Sequence, residues 1–353
     1  MSIRSWSQRG VVVAALLTTA CQWSTQSQGA ASPPAPVYPP GAYGTAGPTA
    51  PPYPNQPATG QTAPPGAQPA ATTPSTSSPS AGPDPSAIND PINRTDIAWL
   101  RDRSQYVYKS LIQALPPRPK SKVEGIPLIV DDTPGDVNAF AACTSSGKAV
   151  MAITDGLLEI MSQLARCAAT DEVFGTRKTD EYIQFLAKNQ RPDKPIARPG
   201  ATFFAPNQDL DARKVTRQHQ LNDEETAFVL GHEMGHHYLG HLPCTAGNVS
   251  ASEVGMVLTS VVPAFNQVNE TAADTAGVHN VLNAGRTRSD YHWTEGGALL
   301  TMRFFAGMDQ WSPVDILFAF ESTHPPPQVR IPIIRETAAA WRATGGAPLP
   351  WLL

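Results

Sequence analysis

Charge is missing from the first quarter of this chain: no Asp, Glu, Lys or Arg lies between Arg9 and Asp84. The same stretch is built from Pro, Ala, Gly, Ser, Thr and Gln, and half of the 36 prolines fall between Pro33 and Pro91. Such a composition cannot bury enough apolar surface to offset its chain entropy, so residues 21–91 are expected to be a disordered, partly polyproline-II-like linker. An excess of basic residues is also missing. Lys and Arg number 26 against 30 Asp and Glu, a net charge of -4, which excludes the clustered basic footprint that nucleic-acid binding needs. Long apolar runs are lacking too. Gly10–Leu17 and Val254–Phe265 both fall short of the roughly 20 residues of a membrane-spanning helix, and the second is expected to be a buried core helix. Only four cysteines are present, so the chain is no disulfide scaffold.

What the N-terminus does have reads as an export signal. Arg4 and Arg9 flank the start of the apolar run, and Thr18-Thr19-Ala20 leads with small residues into Cys21. Residues 1–20 are therefore expected to be removed. A small residue before a cysteine resembles the bacterial lipobox, whose cysteine is acylated. Thr18 stands where that pattern prefers leucine, so ordinary cleavage near Ala20 is the alternative. Gln22 after the cysteine resembles cargo sent to the outer membrane of a Gram-negative cell. The expectation is an exported, periplasmic protein held to that membrane only by lipid at Cys21. Cys143, Cys167 and Cys244 then remain in an oxidising compartment. One disulfide is expected, with Cys143–Cys167 favoured because they flank one strand–helix unit; three buried thiols are the alternative.

Residues 92–353 read as an α+β, mostly helical domain. Apolar residues from Ile97 to Leu115 recur at helical spacing and stop at Pro116-Pro117. Short strands are expected at Ile126–Val130, Val137–Ala142 and Lys148–Thr154, followed by a helix from Asp155 to Ala168. Residues 171–220 look like a variable polar insertion with one helix near Asp180–Lys188 and room for a lid. Asn222 with Glu225 forms an apparent capping box that would start a helix running to about His241. Further helices are expected at Ser252–Asn280, Thr294–Met308, Pro313–Ser322 and from near Pro332.

The chemistry lies at His232-Glu233-Met234-Gly235-His236. Two histidines four residues apart share one helix face and can converge on one ion, while Glu233 reaches a water rather than the metal. Neutral imidazole suits zinc, whose catalytic sites keep three protein ligands and an open position. Glu270 is the candidate third ligand. Asp274, one helical turn on, is placed to hydrogen-bond a ligand imidazole. Ala272, Ala273 and Gly277, like Gly235, are small, as a close helix crossing requires. His237, His241 and His279 offer no better third position and are read as structural or solvated.

Together with Asn138-Ala139-Phe140-Ala141, Ile153-Thr154-Asp155-Gly156-Leu157-Leu158, Ser322-Thr323-His324-Pro325 and Arg330-Ile331, these motifs resemble the HtpX-type gluzincin peptidases (peptidase family M-forty-eight), over about Asn93–Glu336. The resemblance implies a zincin-like fold with a small sheet beside the metal helix, one Zn2+ per chain and endopeptidase activity. It implies that His324 stabilises the oxyanion, that Arg330 anchors carboxylates near the metal, and that Asn138, Ala139 and Phe140 bind extended substrate by strand addition. The membrane helices of the HtpX and CaaX prenyl protease branches are absent, which favours the soluble periplasmic branch. Its expected partners are unassembled or misfolded envelope proteins. A chaperone or assembly factor that binds polypeptide in the same cleft with little turnover is the alternative.

Overall fold

The computed structural model describes residues 82–191, 194–259, 267–311 and 324–347. The export signal, Cys21, most of the linker, the helix expected over Pro313–Ser322 and the Ser322-Thr323 pair lie outside the described residues. Within them the architecture is α+β and mostly helical, as expected. Helix α1 (Ile97–Ala114) is capped by Asp96, whose side chain accepts from the Trp99 N–H, and it buries Leu100, Val107 and Leu111. It ends before Pro116-Pro117, and Pro117 opens the short α2 (Pro117–Val123).

Three strands follow, β1 (Leu128–Asp131), β2 (Ala139–Cys143) and β3 (Ala149–Thr154). β3 is buried throughout and central, parallel to β1 and antiparallel to β2, so β2 is an edge strand. Thr154 ends β3 and caps α3 (Asp155–Phe174) by accepting from the Leu157 N–H. α4 (Lys178–Asn189) and the short α5 (Pro206–Asp209) fill the region expected as a polar insertion.

The long helix α6 (Ala212–Leu239) corrects the expected start at Asn222. Its cap is Asp211, which accepts from the Arg213 N–H, and Asn222 and Glu225 lie buried in its interior. The first turns lack an apolar stripe because they bury polar groups instead. Lys214 Nζ reaches Asp209 Oδ1 (2.6 Å) and Asn93 Oδ1 (2.9 Å), and Gln218 donates to Asp90 Oδ1 (2.7 Å). The segment that receives them includes a 3-10 helix at Pro85–Asn89 and a buried Asp90. Among the described residues, Gly82 and Asp84 already make folded contacts, inside the range that composition assigned to the linker.

The single helix expected over Ser252–Asn280 is described as two helices, α7 (Ala251–Leu258) and α8 (Gln267–Arg286). Among the described residues α9 (Gly296–Trp311) and α10 (Pro327–Ala343) follow, α10 starting at Pro327 rather than near Pro332. α6 and α8 cross closely because small residues meet there. A methyl added at Gly235 would sit 3.1 Å from the Ala276 Cβ, and one at Gly277 3.2 Å from the His232 nitrogen. The cysteine pairing is also corrected. Cys143, at the end of β2, is bridged to Cys244 beyond α6, and Cys167 is a free thiol buried on α3. Sequence proximity favoured the wrong partner, since the bridge follows the packing of β2 against the end of α6. Among the described residues no helix is long and apolar enough to cross a membrane.

Candidate metal centre

One turn of α6 separates His232 from His236, and their Nε2 atoms converge to 3.1 Å. α8 supplies Glu270 from the other side of the crossing. Its Oε2 lies 3.4 Å from His232 Nε2 and its Oε1 3.4 Å from His236 Nε2. Zinc ligands at about 2.0–2.1 Å in a tetrahedron stand roughly 3.3–3.4 Å apart, so these separations are those of three ligands around one ion. His324 joins them, with Nε2 3.7 Å from Glu270 Oε2 and 3.5 Å from Glu233 Oε1. The donor atoms of His232, His236, Glu270 and His324 all fall within 4.8 Å of one another.

The chemistry of the pocket fits a cation. Glu270 is fully buried, yet neither carboxylate oxygen meets a hydrogen-bond donor. A buried carboxylate left that way is costly unless a cation satisfies it. Burial disfavours the His232 imidazolium, but the Asp274 carboxylate against Nδ1 and the Glu270 carboxylate beside Nε2 outweigh it and push that pKa up to about 9. Two imidazoles and one carboxylate are a zinc-type donor set, and the residues present fit the ion.

Behind the histidines the structure brings Asp274 and Arg330 together. Asp274 Oδ1 lies 2.9 Å from His232 Nδ1, and Arg330, from α10, donates to the same carboxylate through Nη2 (2.6 Å) and Nε (3.0 Å). Burial opposes ionisation of Asp274, but Arg330 and His232 hold its carboxyl far below the usual range. The Asp274 carboxylate against Nδ1 leaves the His232 Nε2 facing Glu270 and His236. His237 is structural, as expected: its Nε2 meets the Val150 carbonyl (2.9 Å) and pins α6 to β3. His279 is buried on α8. His241, half-buried beyond α6, has its Nδ1 2.9 Å from His236 Nδ1.

Glu233, next to the first ligand, points its carboxylate into the pocket. Oε2 accepts the backbone N–H of Ala141 on β2 (2.9 Å), and Oε1, buried and without a hydrogen-bond partner, faces His324. Antiparallel pairing explains why Ala141 is available. Asn138 and Thr144 bond to β3 partners, so the alternate residues Ala139, Ala141 and Cys143 turn their backbone groups to the outer edge. Of the residues read as the substrate strand, Ala139 shares that edge. Phe140 instead packs its side chain with Val150, Ala152 and Val257 behind the sheet, and Asn138 bonds to Thr154. Ala141 was missed because a backbone donor leaves no residue-type signal.

Two histidines and a glutamate around an ion-sized pocket, with a second glutamate held between that pocket and an edge strand, define a metal-dependent hydrolase centre. The profile described as peptidase family M48 matches residues 109–338, and the chain belongs to that family of zinc-dependent metallopeptidases. No curated relative and no solved structure matches the chain.

Proposed function

We propose that this protein is an exported zinc endopeptidase that cuts extended segments of unassembled or misfolded envelope proteins. The observation that carries the reading is Glu233, clamped by the Ala141 amide with one oxygen turned toward the site where His232, His236 and Glu270 converge. Bound there, zinc would supply Lewis-acid polarisation of the scissile carbonyl. Glu233 Oε1 takes the proton of the attacking water and returns it to the leaving amine. His324 donates from Nε2 to the oxyanion across the pocket from Glu233. The outward backbone groups of Ala139 and Ala141 pair with an extended substrate strand, which favours unfolded segments over folded ones.

The cellular setting rests on the N-terminus and the cysteines. Residues 1–20 act as an export signal, Cys21 carries lipid, and the charge-poor linker holds the catalytic domain away from the outer membrane. The Cys143–Cys244 bridge supports an oxidising compartment. The test is a strain carrying Glu233→Gln, whose variant protein is recovered with bound polypeptide and analysed by mass spectrometry. Envelope proteins should accumulate on it and appear as cleaved fragments only with the wild type. Accumulation without fragments in the wild type would favour an assembly factor, and recovery of cytoplasmic proteins alone would contradict the envelope assignment.

A further inference from the structure

The end of α6 is shaped so that it reaches back to the metal centre. Gly240 adopts a left-handed conformation, φ 81. Its N–H bonds to the His237 carbonyl (3.1 Å), and the His241 N–H to the His236 carbonyl (3.0 Å), the paired bonds of a Schellman cap. That reversal lays His241 against the last helical turn, where its ring stands 5.0 Å from the His236 ring at 65°. The two Nδ1 atoms are 2.9 Å apart. His236 turns Nε2 toward His232 and Glu270, and with that nitrogen's lone pair given to zinc its proton would sit on Nδ1. A bond between two Nδ1 atoms needs one donor and one acceptor, so His236 donates and His241 accepts.

We propose that His241 is a positioning residue for the metal: it accepts the His236 Nδ1–H and fixes the tautomer that presents Nε2 to zinc. It does for His236 what Asp274 does for His232, and the inference rests on the zinc reading above. The loop is held on its far side as well. Cys244 is bridged to Cys143, and the Thr245 backbone bonds to Gly147 and Ala149. His241 lies outside the group of donors that gather within 4.8 Å, so it supports a ligand rather than adding one. It is half-buried and beyond the helix, where a small side chain can be accommodated.

The experiment loads full-length wild type, His241→Ala and His241→Gln with zinc and reads the zinc dissociation constant by competition with a chelator of known affinity. Thermal unfolding of the metal-free proteins is followed alongside. His241→Ala is expected to weaken zinc binding about 10- to 100-fold. His241→Gln, whose amide oxygen can accept the same proton, should recover most of that loss, with the metal-free melting temperature held in both. A His241→Ala constant within about 3-fold of wild type would overturn the proposal. So would equal weakening by both variants, or weakening matched by a fall in metal-free stability, which would assign His241 a packing role. A wild type that takes up no zinc would instead sink the metal reading itself, and this inference with it.

Discussion

His232 and His236 sit one turn apart on the same helix, but different materials stand behind them. Behind His232 are Asp274 and Arg330, both on helices, both buried and both charged. Behind His236 is His241, on a half-buried loop tied down by a disulfide. The inner support is part of the core, so the chain's stability depends on it. The outer support is light, and its loss should be felt mainly by the metal. The site thus joins an inner wall, made by the buried α6–α8 crossing, to an outer wall of β2 and the half-buried loop after α6.

Asp274→Ala tests the inner wall most severely. It removes the buried carboxylate that Arg330 pairs with through two nitrogens, which should lower stability by about 3–5 kcal/mol in denaturant unfolding and abolish zinc uptake. Unchanged unfolding would remove the contrast between the two walls. Replacing Cys143 and Cys244 with serine should cost less, about 2–4 kcal/mol, because losing the bridge frees the unfolded chain but leaves the core packed and no buried charge behind. A loss of stability larger than that of Asp274→Ala would reverse the ranking.

The smallest effect has the opposite sign. Glu225 is fully buried on α6, its Oε2 has no hydrogen-bond partner, and burial raises its pKa well above the usual range. The native state therefore keeps a proton that the unfolded chain releases above about pH 4.3. Stability from this group is full below that point and is lost as pH rises toward the raised native value. Glu225→Gln removes the loss, so the variant should be more stable than wild type at pH 7.5 and equal to it near pH 4. A variant less stable at both values would show that Glu225 is charged and paired in the fold.

Much of the site was legible because its chemistry demands particular residues at fixed spacing. His232, His236, Glu270 and Asp274 each follow from a helical repeat and a ligand type, and the structure brings them together. The rest was hidden by two physical causes. Some functions are carried by backbone, as with the Ala141 amide on Glu233, or by the cap that delivers His241, for which Gly240-His241 after a metal helix was the available signal. Others depend on long-range packing. The start of α6 was misplaced because Asn222 and Glu225 imitate a cap, while the true first turns bury Lys214 and Gln218 against Asp90 and Asn93. The disulfide was mispaired for the same reason, since the adjacency of β2 and the loop after α6 leaves no trace in spacing.

The central claim is that His232, His236 and Glu270 hold zinc while Glu233 performs the proton transfer. It is tested by measuring zinc content and digestion of an unfolded polypeptide, with and without chelator, for wild type and Glu233→Gln. The account predicts about one zinc per chain in both. It predicts cleavage by the wild type that chelator stops and zinc restores, and a rate about 100- to 10,000-fold lower in Glu233→Gln. Cleavage by Glu233→Gln at the wild-type rate, or wild-type cleavage indifferent to chelator, would contradict it.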